Sequence, residues 1–461
     1  MEAPFDIAAD LDTPVSAYLK LGELEPRFLL ESVEGGERLA RYSFLGFGDA
    51  LEIRMDSGAL HINGEARPRP ENQDSYLGAL RAALAAAPRP GPGVDGLPFA
   101  GGLVGVSGYD VVRLFERLPR DTVAQDDIPD AAFVAPSSLL VFDHLTRRVA
   151  LLHDGPEAER LALRDQVIRL LRGAIPNGQG LATVGPAEAS FSEEEFCERV
   201  AACKEYITAG DIYQIVISVL FTGRSDVSPF EVYRAMRLLN PSPYMFFFEF
   251  GDLQVVGSSP EALVRLHGNR ASLRPIAGTL PRGQTPAEDR ANEAALLADP
   301  KEAAEHVMLV DLARNDLGRV ATAGSVHVDP YRAIERYSHV MHIVSGVQGE
   351  LAQGFDQFDL FAASFPAGTL VGAPKVRAME IIEEMENTGR GLYAGTAGYF
   401  GLSGDMDQAI TIRTLVFQGD RYSFQAGAGI VADSVPGNEY REVLAKSAIL
   451  RRALAIAGEG L

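Results

Sequence analysis

Apolar and polar positions follow two periods along this chain, and the switches between them mark its elements. Leu51–Met55 and Ala59–Ile62 flank Asp56-Ser57-Gly58 as a hairpin would, and Ser138–Phe142 with Arg148–His153 repeats the pattern. RFLLESVEGGERLARYSFLG (27–46) sets Leu29 and Leu30 before Glu31 and Ser32, then turns at Gly35-Gly36. GGLVGVSG (101–108) reads as a glycine-rich strand. It lacks the spacing of a dinucleotide or P-loop fingerprint, and the lysine the latter needs. Residues 1–185 therefore predict a β-rich half. RPGPGVD (89–95) marks a loop, and the Gly-, Pro- and Ala-rich stretch 173–190 is the best linker.

Beyond the linker, at 190–461, the pattern mixes helices and strands. Ser192 with Glu195 forms a capping box, and Phe191 with Phe196 a hydrophobic staple. Phe196, Val200, Cys203 and Ile207 make the helix's buried stripe, and Gly210 stops it. DIYQIVISV (211–219) predicts a strand with Ile212, Gln214, Val216 and Ser218 on one face, so Gln214 points among apolar neighbours and needs partners. AITIRTLVF (409–417) predicts another strand, where Arg413 interrupts a β-branched run and requires an anion if buried. The strand ending in Gly427-Ala428-Gly429 offers bare backbone to a close-approaching ligand.

KEAAEHVMLVDLARNDLGRV (301–320) is a helix with Glu302, Glu305, Leu309, Leu312 and Asp316 along one side. Acidic residues suit the positive end of a helix dipole, so a solvated first turn accounts for Glu302 and Glu305 taken alone. Glu439 and Glu442 repeat the spacing on the last helix, with Lys446 on the same side. A surface i,i+4 pair accounts for Glu442 and Lys446 alone. Four carboxylates on two helix faces suit a hard divalent cation such as Mg²⁺, which prefers oxygen ligands and keeps waters.

Composition narrows the function classes. The 461 residues exceed a typical single domain. A net charge of −21 argues against nucleic acid and anionic membranes as partners. With no apolar run long enough to span a bilayer and no signal-peptide pattern, cytoplasm is the default expectation. Cys197 and Cys203 do not make a disulfide framework or thiolate site. Of 42 cationic residues only Lys20, Lys204, Lys301, Lys375 and Lys446 are lysine, which marks those places as ones where a compact ammonium is used.

PIAGT (275–279), EHVMLVDLARND (305–316), VMH (340–342), AGTLVGAPKVRAM (367–379) and QAGAG (425–429), in this order, resemble the chorismate-utilising enzymes. The resemblance is strongest over 190–450, and LLES (29–32) extends it over nearly the whole chain. It implies a composite α/β (α+β) fold whose large β-sheets and surrounding helices enclose a deep cleft. Water-adding members carry a lysine where this chain has Gln214, and aminodeoxychorismate synthases a nucleophilic lysine where it has Ala277. The chain therefore resembles the anthranilate-forming branch, a Mg²⁺-dependent carbon–oxygen lyase activity. The rival readings are an aminodeoxychorismate synthase component and a silent chorismate or tryptophan sensor. Leu280 departs from the arginine usual there.

Residue by residue, the resemblance implies Glu305 and Glu442 as metal ligands, with Glu302 and Glu439 nearby. It implies Glu261 as general acid and His342 as the histidine needed for pyruvate loss. Arg413, Tyr393 and the backbone of Gly427, Ala428 and Gly429 would grip a substrate carboxylate. Gly278, Thr279 and Thr369 would line the ring site, and Lys446 would face a carboxylate; His306 and His339 are second choices. No glutaminase nucleophile is visible, so a glutamine amidotransferase subunit is implied, making a hetero-oligomer. Glu31, Ser32, Asn240, Pro241, Pro243, Tyr244 and Met245 match an inhibitory tryptophan site, whereas local chemistry reads Glu31 and Ser32 as a strand-end turn.

Overall fold

The computed structural model describes residues 4–8, 10–32, 41–125, 128–176, 178, 180–336 and 340–461, and of Thr279 the backbone alone. The turn at Gly35-Gly36 and His339 lie outside the described residues. Among the described residues an antiparallel sheet of 21 strands dominates. Phe28–Glu31 pairs with Tyr42–Met55 on one side and with Tyr244–Phe250 on the other. Gly102–Ser107 lies between Ala131–Asp143 and Thr396–Gly401. Hydrogen-bonded pairs thus join residues before the linker to residues after it.

Alternation along these strands feeds two cores on opposite faces of the sheet. Leu29 and Phe247 enter one core, while Phe28, Phe246 and Phe248 enter the other. Both expected hairpins form, with Ile53 opposite Ile62 and Leu140 opposite Leu151. Asp56 Oδ1 closes the first by accepting from the N–H of Gly58 and of Ala59, each at 2.8 Å. The helix Glu193–Ala209 carries the expected capping box, buries Phe196, Val200 and Cys203, and ends at Gly210 with φ +86°.

Two strands differ from expectation. The strand expected at 211–219 begins at Gln214 and runs to Arg224. Gly210 turns the chain, Tyr213 stays exposed, and the far end is drawn on by pairing with Arg421–Ile430. The expected strand 409–417 is two strands, Met406–Ile410 and Thr414–Gln418. Arg413 takes φ +50°, and the Thr411 hydroxyl donates to the Leu392 carbonyl. The halves then find different partners: the first pairs with Ala262–His267 and Thr396–Gly401, the second with Leu253–Ser259 and Arg421–Ile430. β-branched composition favours extended backbone but does not prevent a single left-handed residue from dividing the run.

Candidate active site

The floor of the cleft is the pair of strands Gln214–Arg224 and Arg421–Ile430, with Val216 opposite Gly429 and Ser218 opposite Gly427. Gln214 is buried. A Cβ on Gly429 would stand 2.9 Å from Gln214 Nε2, and one on Gly427 2.8 Å from the Tyr393 hydroxyl and 2.9 Å from the Ile217 carbonyl. The glycines therefore let Gln214 and Tyr393 close onto bare backbone. Lys446 reaches in from the helix Pro436–Glu459, donating to the Gly427 carbonyl at 3.0 Å and pairing with Glu442 at 2.8 Å. The surface-pair reading of Glu442 and Lys446 is right about their contact and misses the second one.

One wall carries Glu261, Thr369 and Arg413. The Thr369 hydroxyl donates to Glu261 Oε1 at 3.0 Å. Burial lifts the Glu261 carboxyl to about 7, against the pull of Thr369, Arg413 and Lys446. The carboxyl thus keeps its proton up to about pH 7, where an ordinary carboxylate has already lost it, as suits a proton donor. Burial also lowers the pKa of Arg413, with the charge of Glu261 opposing. Arg413 is a non-glycine residue held in left-handed backbone, the kind of strain that collects at ligand sites. Glu261 and Thr369 also line a narrow, mostly apolar recess with Leu309, Leu312, Asp316 and Ile410.

The facing wall is a three-stranded sheet of Ile276–Pro281, Val340–Val344 and Ala333–Arg336. Ala277, which is buried, pairs with Ile343; Thr279 pairs with His342, its side chain lying outside the described residues. Gly278, at φ +66°, turns its carbonyl to His342 Nδ1 at 3.0 Å. A carbonyl only accepts, so in the neutral ring Nδ1 carries the proton and Nε2 is the basic nitrogen. Burial lowers the His342 pKa, the Gly278 contact opposes, and the charge of Arg413 lowers it further.

Gly278 also connects this wall to the acidic helix Pro300–Gly318. A Cβ there would lie 3.0 Å from Glu302 Oε2. Pro300 and the Asp299 side chain, which accepts from Lys301 N and Glu302 N, start that helix. Burial and the charges of Glu305 and Asp299 raise the Glu302 pKa. Among the described residues no three His, Cys, Asp or Glu side chains gather into a ready-made metal cage. Glu302 and Glu305 nonetheless put two carboxylates one turn apart on this helix, and a hard cation such as Mg²⁺ takes one or two carboxylates with waters and a substrate anion. His306 is fully buried, its Nε2 2.6 Å from Ser345 Oγ, and burial with Arg332 drops it to about 4. It ties the helix to the three-stranded sheet.

The two segments matched to a regulatory site lie side by side. Glu31 pairs with Met245, and Leu30 with Phe246, across adjacent strands. Glu31 closes its strand as expected. Its carboxylate, however, is buried and accepts from the Tyr233 hydroxyl and from Arg237 at 3.1 and 3.2 Å. The Ser32 hydroxyl is buried with no hydrogen-bond partner among the described residues. Asn240, just after the helix Pro229–Leu239, donates to Ser258 Oγ at 3.0 Å. Tyr244 donates to Asp407 at 3.0 Å. Pro241 and Pro243 lie in the short link from that helix to the strand Tyr244–Phe250, and Met245 is buried.

The sequence reading missed two buried ion pairs under this site. Lys375 lies 3.0 and 3.1 Å from the carboxylate oxygens of Asp316; the rarity of lysine was its only signal. Arg390 and Glu386 pair beneath the floor. An arginine inside the glycine-rich run NTGRGLYAG was the signal there.

A sequence model for chorismate binding enzymes matches residues 25–452, and the chain belongs to that family. It is 47% identical to anthranilate synthase component 1 of Thermus thermophilus over 459 residues, 98% of this chain and 97% of that protein. It is 44% identical to anthranilate synthase component 1 of Pseudomonas putida, covering 97% and 94% of the two chains. Among solved structures, anthranilate synthase component I from Streptococcus pneumoniae superposes with TM-score 0.81 at 34% identity, covering 98% of this chain and 100% of the other. The menaquinone-specific isochorismate synthase of Escherichia coli shares the fold, with TM-score 0.71 at 20% identity over 96% and 92% of the chains. The composite chorismate-utilising fold expected from the motifs is the fold observed.

Proposed function

We infer that this chain is the chorismate-converting component of an anthranilate synthase: chorismate and ammonia give anthranilate and pyruvate. The likeness to component 1 of Thermus thermophilus across 98% of the chain carries the reading. The site chemistry supports it. A neutral Gln214 cannot deprotonate water, which suits ammonia, a nucleophile without activation. Buried Ala277 supplies no amine, which disfavours an aminodeoxychorismate synthase. Two groups with displaced proton affinities, Glu261 and His342, disfavour a silent sensor.

In the first step the ammonia nitrogen bonds to the ring as the C–O bond to the ring hydroxyl breaks. Glu261 gives that oxygen its proton, so water leaves. Arg413, Tyr393 and the backbone of Gly427–Gly429 hold the enolpyruvyl carboxylate, and Lys446 adds positive charge. Glu305 and Glu442, with Glu302 and Glu439 beside them, would hold Mg²⁺. That ion supplies Lewis-acid withdrawal of charge from the ring carboxylate. In the second step His342 Nε2 takes the proton from the amine-bearing carbon as the ether C–O bond breaks. The ring becomes aromatic, and the released enolate takes back one proton on its methylene carbon to become pyruvate.

Ammonia reaches the chain from glutamine through a separate amidotransferase subunit, in keeping with the relatives' designation as component 1. Tryptophan, the downstream amino acid, inhibits at Ser32 and residues 240–245, where the Ser32 hydroxyl, buried and without a hydrogen-bond partner among the described residues, suits an amino acid's polar end. Since the strands of this site pair across the two halves, a ligand favouring one arrangement biases the cleft. No described helix is long and apolar enough to cross a membrane. The test is anthranilate fluorescence from chorismate, Mg²⁺ and ammonium with the purified chain. Isochorismate or 4-amino-4-deoxychorismate as the main product would overturn the reading.

A further inference from the structure

We propose that Arg390 is a positioning residue for the cleft, a single buried guanidinium that sets how Gln214, Thr369, Tyr393 and Gly427–Gly429 stand relative to one another; this rests on the reading of those residues as the chorismate site. Arg390 sits in the turn between the helix Lys375–Met385 and the strand Thr396–Gly401, and its side chain is 1% exposed. Nη1 donates to the Leu370 carbonyl at 2.8 Å, and Nη2 to the Val216 carbonyl at 2.8 Å. Nε and Nη2 clamp Glu386 at 3.0 and 2.7 Å. The guanidinium lies 5.7 Å from the Tyr393 ring centroid and 5.0 Å from that of Tyr109.

The two carbonyls it holds are one and two residues from groups that face the cleft. Leu370 follows Thr369. Val216 is two residues from Gln214 on the same strand face and stands opposite Gly429. Glu386 extends the clamp, accepting from Ser218 N at 2.9 Å and Ser218 Oγ at 2.7 Å. Gln425 donates to the same hydroxyl at 2.8 Å, and Ser218 stands opposite Gly427. The ion pair thus ties the strand at 216–218 to Leu370 and to its own turn, and Gln425 joins through the Ser218 hydroxyl. The fork geometry matters, because a lysine ammonium could meet Glu386 but could not also reach two carbonyls from one plane. Stability alone does not account for the arrangement. Well-packed apolar side chains often replace a buried ion pair without loss, since they avoid desolvating two charges.

The proposal separates from a purely structural role through KM. A variant that merely unfolds in part has fewer active molecules, so kcat falls and KM stays. Misplaced cleft groups change KM for chorismate in the folded molecules. Arg390→Lys and the double variant Glu386→Gln/Arg390→Met are to be assayed for anthranilate formation below their unfolding temperatures, with thermal unfolding recorded with and without chorismate. We expect KM to rise about tenfold or more in both. We also expect chorismate to raise the wild-type unfolding temperature and to do so much less in the variants. The double variant should unfold close to the wild-type temperature. Unchanged KM in Arg390→Lys, recovery of KM in the double variant, or failure of both variants to fold would overturn the proposal. Wild-type protein that chorismate stabilises but does not convert would instead overturn the functional reading and leave the positioning role standing on the ligand shifts.

Discussion

Glu261→Gln tests the core of the mechanism and can be given a magnitude. Burial raises the Glu261 carboxyl from an ordinary 4.5 to about 7. At about 1.4 kcal/mol per pH unit, that gap amounts to about 3 kcal/mol. The folded pKa lies above the unfolded one, so between these values the folded state holds the extra proton. Stability therefore falls as pH rises through that window, and the wild-type protein is fully stable, in this respect, only below it. Glutamine keeps the shape and the hydrogen bond to Thr369 without ionising. The variant should gain on wild type by about 3 kcal/mol between about pH 4 and pH 8, read from urea unfolding. Activity should show the same group. Per unit of free ammonia, wild-type turnover should fall about tenfold for each pH unit above about 7, and Glu261→Gln should be slow with no such limb. Parallel stability curves for the two proteins, or a wild-type rate per free ammonia that stays flat across the window, would refute the burial argument.

Other residues give separate readouts. Glu305→Gln or Glu442→Gln should abolish turnover with ammonium and weaken Mg²⁺ binding measured by calorimetry; activity in both would remove them from the metal site. His342→Ala should slow pyruvate loss more than amination, so chromatography should show the amino intermediate accumulating, whereas equal loss of intermediate and product would contradict the division of labour. Ser32→Leu should relieve inhibition by tryptophan while uninhibited turnover stays near wild type; a dead variant would make Ser32 a strand-end residue and nothing more. The chain alone should use ammonium and ignore glutamine, and glutamine use by it would reveal an overlooked amidotransferase site.

Several elements were legible in the sequence because local rules decide them. The capping box at Ser192 and Glu195 and the hairpin at Asp56-Ser57-Gly58 rest on hydrogen bonds spanning three or four residues, and patterns of that range survive in a linear chain. The motifs at 275–279, 305–316 and 425–429 also carried the family, since short literal strings are readable without the fold. Tertiary structure alone decided the rest. β-branched residues from Ile410 to Val416 read as one strand, but partners more than a hundred residues away divide it at Arg413. Glu31 looked like a turn residue until the pairing of Phe28–Glu31 with Tyr244–Phe250 laid it against Arg237. Arg390 stood out only as an arginine among glycines, and nothing local gave its role, because the carbonyls it holds, those of Val216 and Leu370, lie 174 and 20 residues away. Propensity and capping act over one turn of chain, whereas the burial that shifts Glu261 and the contacts that place Arg390 exist only once distant strands have paired and excluded water.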